Sequence, residues 1–364
     1  MTRRMFAGGF TPIGFVDFFE YIMPLEIARK RYFLKGASGS GKSTFIKKTA
    51  AKFEAASADA DLFHCANDSS GLDGIAVKEF GFCIMDATMP HSHDPEIPAA
   101  TDEIIDFAKF LDAQKLRRHT DEIRQLLVLK KNMYKKALKF ITAAGNIRAE
   151  ETAAYEAALI KPRVRDLVRK YSGLFENCEM SSLGSFEKPG RSDCAPGTDR
   201  KLFLSAITPL GTVNFAEEVL SRYKVFGLSA EAGIFFADLK DLANACGINT
   251  ESFFSPLEPA KRECVLLPQQ GLAFATVGGL FGFAGKTHET IDLEGCYNTK
   301  KIISESPAQN EEIIKNLLDT ATASMKDAAA IHKKTEEIYI DKMDFNQVND
   351  LTDRILDEVF LGYS

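Results

Sequence analysis

Tryptophan is absent from the 364 residues, histidine is scarce at 6, and none of the 7 cysteines falls in a C-x-x-C pair. Zinc-ribbon and thioredoxin-like chemistry therefore has no local signature. The odd cysteine count and the opening MTRRMFAGGF, which lacks the apolar core of a secretory signal, lead to an expectation of reduced thiols and a cytoplasmic location. Long apolar runs are also missing. The most apolar one, GLAFATVGGLFGFAG at 271–285, is too short to span a bilayer and reads as a buried strand and loop, so no membrane partner is expected. Basic charge is not in excess: the formal net charge is −6, which argues against a general nucleic-acid binder. What is present is an ordinary globular balance, 45% hydrophobic and 26% charged, in a chain long enough for two domains.

The chain repeats itself. RMFAGGFTPIGFVDFF at 4–19 lines up without a gap on KLFLSAITPLGTVNFA at 201–216, at a spacing of 197 residues. Phe6, Thr11, Pro12, Gly14, Val16 and Phe18 recur as Phe203, Thr208, Pro209, Gly211, Val213 and Phe215. Thr can cap a helix and Pro suits its first position, so each half is expected to open with a strand, a turn and a capped helix. A period this long is two copies of one domain rather than a solenoid. Residues 181–200, rich in Gly, Pro and Ser, read as a linker. The expected division is a first domain at 1–178, a linker at 179–200 and a second domain at 201–364. The fold class is α/β, with a mainly parallel sheet flanked by helices in each copy and a long helical extension after it.

Only the first copy carries phosphate chemistry. Gly36-Ala37-Ser38-Gly39-Ser40-Gly41-Lys42-Ser43 satisfies G-x-x-x-x-G-K-[ST], after the apolar run Tyr32-Phe33-Leu34 and before a helix-like stretch that begins with Thr44. Its glycines let amides of residues 37–44 turn inward on phosphate oxygens, and the helix adds its positive end. Lys42 is expected on the β and γ phosphates, and Ser43 on Mg²⁺. An apolar strand from Phe80 ends in Asp86, the pattern of a second magnesium ligand. Polar segments follow two strands: His64 to Gly74, and Pro90-His91-Ser92-His93-Asp94-Pro95. Beyond the carboxyl ends of strands they would face the phosphates, and Asp68 or Asp73 could serve as acid or base there. Turn chemistry explains the same residues equally well. A zinc site from His64, Cys65, His91 and His93 has no standard ligand spacing behind it.

Setting Gly227 on Gly36 puts Ala230, Glu231, Ala232, Gly233 and Ile234 at Gly39, Ser40, Gly41, Lys42 and Ser43. The cation and the hydroxyl are gone. Setting Gly271 on Gly81 places Thr276 at Asp86, Phe281 at His91 and Ala284 at Asp94. The second copy is thus expected to fold without binding nucleotide. The helical arms differ in sign, with 15 Lys/Arg against 6 Asp/Glu over 115–170 and 6 against 12 over 311–358. Three readings stay open: solvated helix faces, packing of the two arms together, or a lid that brings Arg117, Arg118 or Arg124 over the phosphates.

TPIGFVDFF, LKGASGSGKST, HCANDSSGLDG and DATMPHSHDP in that order, followed by ITPLG, resemble an uncharacterised bacterial family of duplicated P-loop proteins labelled ATPase or nucleotide-kinase-like. The resemblance implies ATP binding and a P-loop fold, without an assigned substrate. The expectation is a Mg²⁺-dependent ATPase or a small-molecule or nucleotide kinase, with Lys42, Asp86, Asp68 and Asp73 as catalytic candidates. The phosphoryl acceptor is water, a small molecule or a protein. The copies are expected to pack together, the second as structural or regulatory support. A nucleotide-dependent switch or scaffold with little turnover is the alternative.

Overall fold

A computed structural model describes residues 2–68, 70–175, 195–228, 232–298 and 307–361. The first half begins with β1 (Thr2–Met5), β2 (Gly8–Thr11) and β3 (Gly14–Asp17). Then come β4 (Lys30–Lys35), α1 (Lys42–Ala55), β5 (Ala60–His64), β6 (Leu72–Val77), β7 (Phe82–Asp86) and β8 (Asp102–Asp106). Its helical extension is α2 (Ala113–Arg117), α3 (Thr120–Ala158) and α4 (Lys161–Ser172). The second half repeats the order as β9 (Asp199–Leu202), β10 (Ser205–Thr208), β11 (Gly211–Asn214), α5 (Ala216–Leu220), β12 (Lys224–Leu228) and α6 (Gly233–Ala245). It continues with β13 (Thr250–Phe254), β14 (Arg262–Leu267), β15 (Leu272–Thr276), β16 (Glu289–Ile291), α7 (Pro307–Ile340) and α8 (Phe345–Leu361). No described helix is long and apolar enough to cross a membrane.

Each half forms one six-stranded sheet. The first runs β1-β5-β6-β7-β4-β8 and the second β9-β13-β14-β15-β12-β16, the same order. Both are mainly parallel, as expected, but mixed: five strands run one way and one is reversed. β6 is antiparallel to both its neighbours, and so is β14. The reason is local. Only a short turn, Lys78–Phe80 closed by Gly81 at φ 61°, joins β6 to β7, and so tight a connection reverses the chain. Leu72-Asp73-Gly74, the end of the polar segment after His64, is the start of this strand.

The Thr-Pro element is a hairpin turn, not a helix cap. Thr11 Oγ1 donates to the carbonyl of Gly14 at 2.8 Å, and Thr208 does the same to Gly211 at 2.8 Å. Thr208 Oγ1 also accepts from the Leu210 amide at 3.1 Å, two residues on and inside the turn, whereas a helix N-cap accepts from the amide two or three places into a helix. Gly14 and Gly211 sit at φ 115° and 100°, which turns β2 into β3 and β10 into β11. A cross-strand ion pair is repeated as well: Arg3 grips Asp61 with bonds of 2.7 and 2.9 Å, and Arg200 pairs with Glu251 at 3.2 Å. These pairs occupy matching registers, Arg3 opposite Asp61 and Arg200 opposite Glu251.

The compact units do not follow the chain order. One comprises 1–141, 207–213 and 318–364; the other comprises 142–206 and 214–317. The helical extensions are exchanged. In the first unit Tyr32, Phe45, Phe53 and Ile84 share a core with Val348, Ile355, Leu356 and Val359 of α8. Phe53 and Phe360 meet ring to ring at 4.8 Å. In the second unit Phe226, Phe235 and Phe274 share a core with Val164, Val168 and Tyr171 of α4. Residues 179–194 of the expected linker lie outside the described residues, and β9 already begins at Asp199. Cys65, Cys83, Cys264 and Cys296 are free, whereas Cys246 is disulfide-bonded, which corrects the expectation of seven reduced thiols. Sequence spacing carries no information on which distant thiols meet.

Leu356 is 1% exposed in that first core. Leu356→Ala removes its packing and is expected to cost about 2–5 kcal/mol. Hydrogen exchange should show α1 losing protection while α6 keeps it. Loss of protection in α6 alone would contradict the exchanged arrangement.

Candidate functional site

The loop after β4 is shaped by its glycines. Gly36, Gly39 and Gly41 have φ of 148°, 76° and 97°, where side chains are strained. A Cβ on Gly36 would lie 2.9 Å from Phe107, and one on Gly39 would lie 3.0 Å from Ile340 and 3.2 Å from the Glu336 carbonyl. The loop therefore has no room for side chains at either place.

Lys42 opens α1 and folds back over its own loop. Its Nζ donates to the carbonyls of Gly36 at 3.0 Å and Ala37 at 2.9 Å, and lies 3.7 Å from Asp86 Oδ2. Ser43 Oγ accepts from the Leu72 amide at 3.0 Å. Asp86 follows from sheet register: β7 lies beside β4 with Asp86 opposite Leu34, at the end where the loop begins. Its Oδ1 accepts from Thr88 N at 3.0 Å and Thr88 Oγ1 at 2.6 Å, so Oδ2 is the oxygen turned to Lys42. Ser40 Oγ is buried and lacks a hydrogen-bond partner. Thr44 is exposed, in a separate small cleft with Phe345 and Asn349.

A cavity of about 650 Å³ adjoins the loop. Ser38, Gly39, Ser40, Lys42 and Ser43 line it, together with Asp68, Asp73 and Asp86. The two remaining candidates differ. Asp68 is exposed and acts as a turn former, taking the amide and hydroxyl of Ser70 at 3.0 and 2.6 Å. Asp73, on β6, is 8% exposed, and burial raises its pKa to about 6, against the pull of His91 and with the repulsion of Asp86. His91 Nδ1 is 2.9 Å from the Asp86 carbonyl, which can only accept, so Nδ1 carries the proton. Nε2 then faces Asp73 Oδ2 at 3.6 Å.

His91 is held by stacking on Phe19 at 4.2 Å and 8°. His93 stacks on the same ring and reaches Asp17 at 3.0 Å, a contact that lowers the Asp17 pKa despite its burial. Lys35, the last residue of β4, fixes this segment through the carbonyls of Ala87 and His93, both at 2.8 Å, and Asp94 at 3.0 Å. His91 and His93 thus serve β7 and the β3 end rather than a zinc ion. Among the described residues no group of three or more His, Cys, Asp and Glu gathers for a metal.

The arginines weighed as a lid do not line the cavity, and Arg124 is exposed, paired with Asp121 at 3.1 Å. Lys130, Lys131 and Tyr134 of α3 line it instead, with His332 and Glu336 of α7. Phe10 and Phe15 of the hairpin complete it, Phe10 stacked on Tyr134 at 5.1 Å. Part of this was legible. Within the ungapped repeat, Phe10, Phe15, Asp17 and Phe19 are replaced by Ile207, Thr212, Asn214 and Ala216. All four positions serve the first site, and the second copy has given up the aromatic or the charge at each. The α7 residues had no such signal.

The second copy departs further than its residues suggest. Leu228 stands opposite Thr276 as Leu34 stands opposite Asp86, so Gly227 is a strand residue and not the counterpart of Gly36. Seven residues, 35–41, separate Leu34 from α1, but only four, 229–232, separate Leu228 from α6. The loop is three residues shorter. Ala230 and Glu231 lie outside the described residues. Thr276 Oγ1 is buried without a partner. Near α6, Thr152 donates to Glu258 at 3.0 Å, and Lys261 lies 3.4 Å from the same carboxylate. Burial raises the Glu258 pKa to about 7 and lowers that of Lys261 to about 8. Only a small void of about 10 Å³ remains beside Gly233, Ile234 and Lys261. Comparison of the chain with protein-family models, with curated proteins and with solved structures finds no match.

Proposed function

We propose that the first unit binds ATP with Mg²⁺ at residues 36–43 and transfers the terminal phosphoryl group to water or to a small hydroxyl-bearing acceptor in the adjoining cavity. The observation that carries this reading is the loop itself: three glycines at positive φ enclose Lys42, whose ammonium rests on the Gly36 and Ala37 carbonyls beside Asp86. Carbonyls are a weak counter-charge for a cation that is 7% exposed, and phosphate oxygens would replace them. The buried Ser40 hydroxyl, which lacks a partner, is a further donor within the loop.

The residues also suit the metal. Mg²⁺ takes few protein ligands and keeps waters and phosphate oxygens, so Ser43 and Asp86 suffice without a carboxylate cluster. Bound there, the ion would neutralise charge on the β and γ phosphates. Asp73 is the better placed base, because burial keeps its pKa near the working range and His91 holds its side of the cavity. In the transfer, the acceptor oxygen bonds to the γ phosphorus as the bridge to the β phosphate breaks. ADP departs with the bridging oxygen, and the acceptor proton passes to Asp73.

A second reading, a nucleotide-dependent switch with little turnover, is favoured by the packing of Glu336 and Ile340 of α7 against Gly39. A filled loop would act directly on that helix. The two readings separate by rate: a kinase releases ADP in proportion to acceptor, whereas a switch turns over slowly and changes hydrogen exchange along α7.

Titration calorimetry should find one ATP per chain, because the second copy lacks the loop length and the cation. Lys42→Ala should lower affinity at least about tenfold, as loss of a charge-assisted contact implies. Equal binding by wild type and variant, or two sites per chain, would refute the reading. Asp73→Asn should reduce kcat by about 10²–10⁴-fold while leaving ATP affinity nearly unchanged. Unaltered turnover would remove Asp73 as the base.

A further inference from the structure

One wall of the cavity comes from α3 and α7, and its charges have no part in the loop chemistry described above. Lys130 is half-buried there, and its Nζ donates to His332 Nδ1 at 3.2 Å. An ammonium only donates, so Nδ1 is the acceptor, and the imidazole proton sits on Nε2, 3.6 Å from Glu336 Oε1. Lys130 forms no ion pair within 4 Å among the described residues. Burial lowers its pKa, with Glu336 acting in the opposite sense. Burial also holds His332 down at about 4, joined by Lys130 and Lys42 and opposed by Asp68. The Glu336 pKa is raised by burial and Asp68 and pulled back by Lys42, Lys130 and Lys333. The wall therefore presents a cation whose hydrogen-bond partner is a neutral ring, within the electrostatic reach of the phosphate-loop lysine. A half-buried ammonium with no carboxylate within ion-pair distance and only the more distant field of Glu336 is costly, and an anion in this cavity would relieve it.

We propose that Lys130, positioned by His332, is a second phosphate-binding cation that engages the terminal phosphoryl group of a nucleotide held in loop 36–43. The inference rests on the nucleotide reading of that loop and assigns it the cation that the basic arm was expected to supply as arginine. Charge accumulates on the transferred group in the transition state, and a fixed cation in a partly dry cavity stabilises it there. Glu336 fits the same account. Its backbone lies against Gly39 and its carboxylate between the fields of Lys42 and Lys130, so it is the counter-charge that a phosphoryl group displaces.

The test titrates Mg²⁺-ATP and Mg²⁺-ADP against the full chain. Lys130→Ala should weaken ATP about tenfold and ADP less than about twofold, because ADP lacks the group engaged. Lys130→Arg should recover most of the loss. His332→Leu should show the same preference for weakening ATP, at about threefold. Lys135→Ala, an exposed lysine of the same helix, should match wild type. Retained ADP binding shows that the variants are folded. A parallel loss of ATP and ADP, or no loss of either in Lys130→Ala while Lys42→Ala abolishes both, would overturn the role of Lys130 alone. If Lys42→Ala also leaves ATP binding intact, the loop reading falls and the second cation falls with it.

Discussion

The site depends on how one buried ammonium is accommodated. Lys42 sits at the start of α1, where the positive helix end and burial both disfavour a cation. Its charge is tolerated because the loop bends round to present two carbonyls and because Asp86 ends the neighbouring strand at the same level. Each of these needs something particular from the chain. The bend needs glycine at three positions of positive φ. The carboxylate needs β7 beside β4 in a register that puts Asp86 opposite Leu34. At the other end of the same strand pair the Gly81 carbonyl accepts from the Arg29 and Lys30 amides at 2.7 and 3.0 Å, which ties the start of β7 to the start of β4.

The second copy shows what remains when that requirement is lifted. The strand order, the hairpin turns and the cross-strand ion pair of arginine with an acid all persist. What disappears includes the glycines, three residues of loop, the strand-end carboxylate, and aromatic side chains of the hairpin that line the first cavity. The scaffold and the loop geometry are thus separable within one chain. The retained features belong to the sheet, whereas the lost ones are those that hold strained backbone and a buried charge in the first copy.

The duplication, the loop and its register partner were legible because they reside in short contiguous patterns. The reversed strand of the first sheet was hidden by a polar residue pair: Asp73 and Gly74 made the start of β6 look like loop, although all of β6 is buried. Thr11-Pro12 misled because the dipeptide suits both a helix start and a turn; Gly14 at positive φ decides for the turn. The offset of three residues in the second loop was invisible without strand pairing to anchor the comparison. Lys130, His332 and Glu336 were beyond reach for a different reason. Their proximity arises from helices some 200 residues apart in sequence, as the separation of 202 between Lys130 and His332 records.

That separation follows from the exchange of helical extensions. α1 and the sheet of the first half leave an apolar face that α8 covers, and α6 leaves one that α4 covers. Neither half therefore completes its own core from its own sequence. For the first half the consequence is chemical as well as structural. The segment that carries α8 into place also carries α7, and α7 brings Glu336 and Ile340 onto Gly39 and His332 onto Lys130. A half without the glycine loop thus supplies, through α7, a wall of the cavity that adjoins that loop. Removing the second half would take away both the cover of the first core and the α7 face of the cavity.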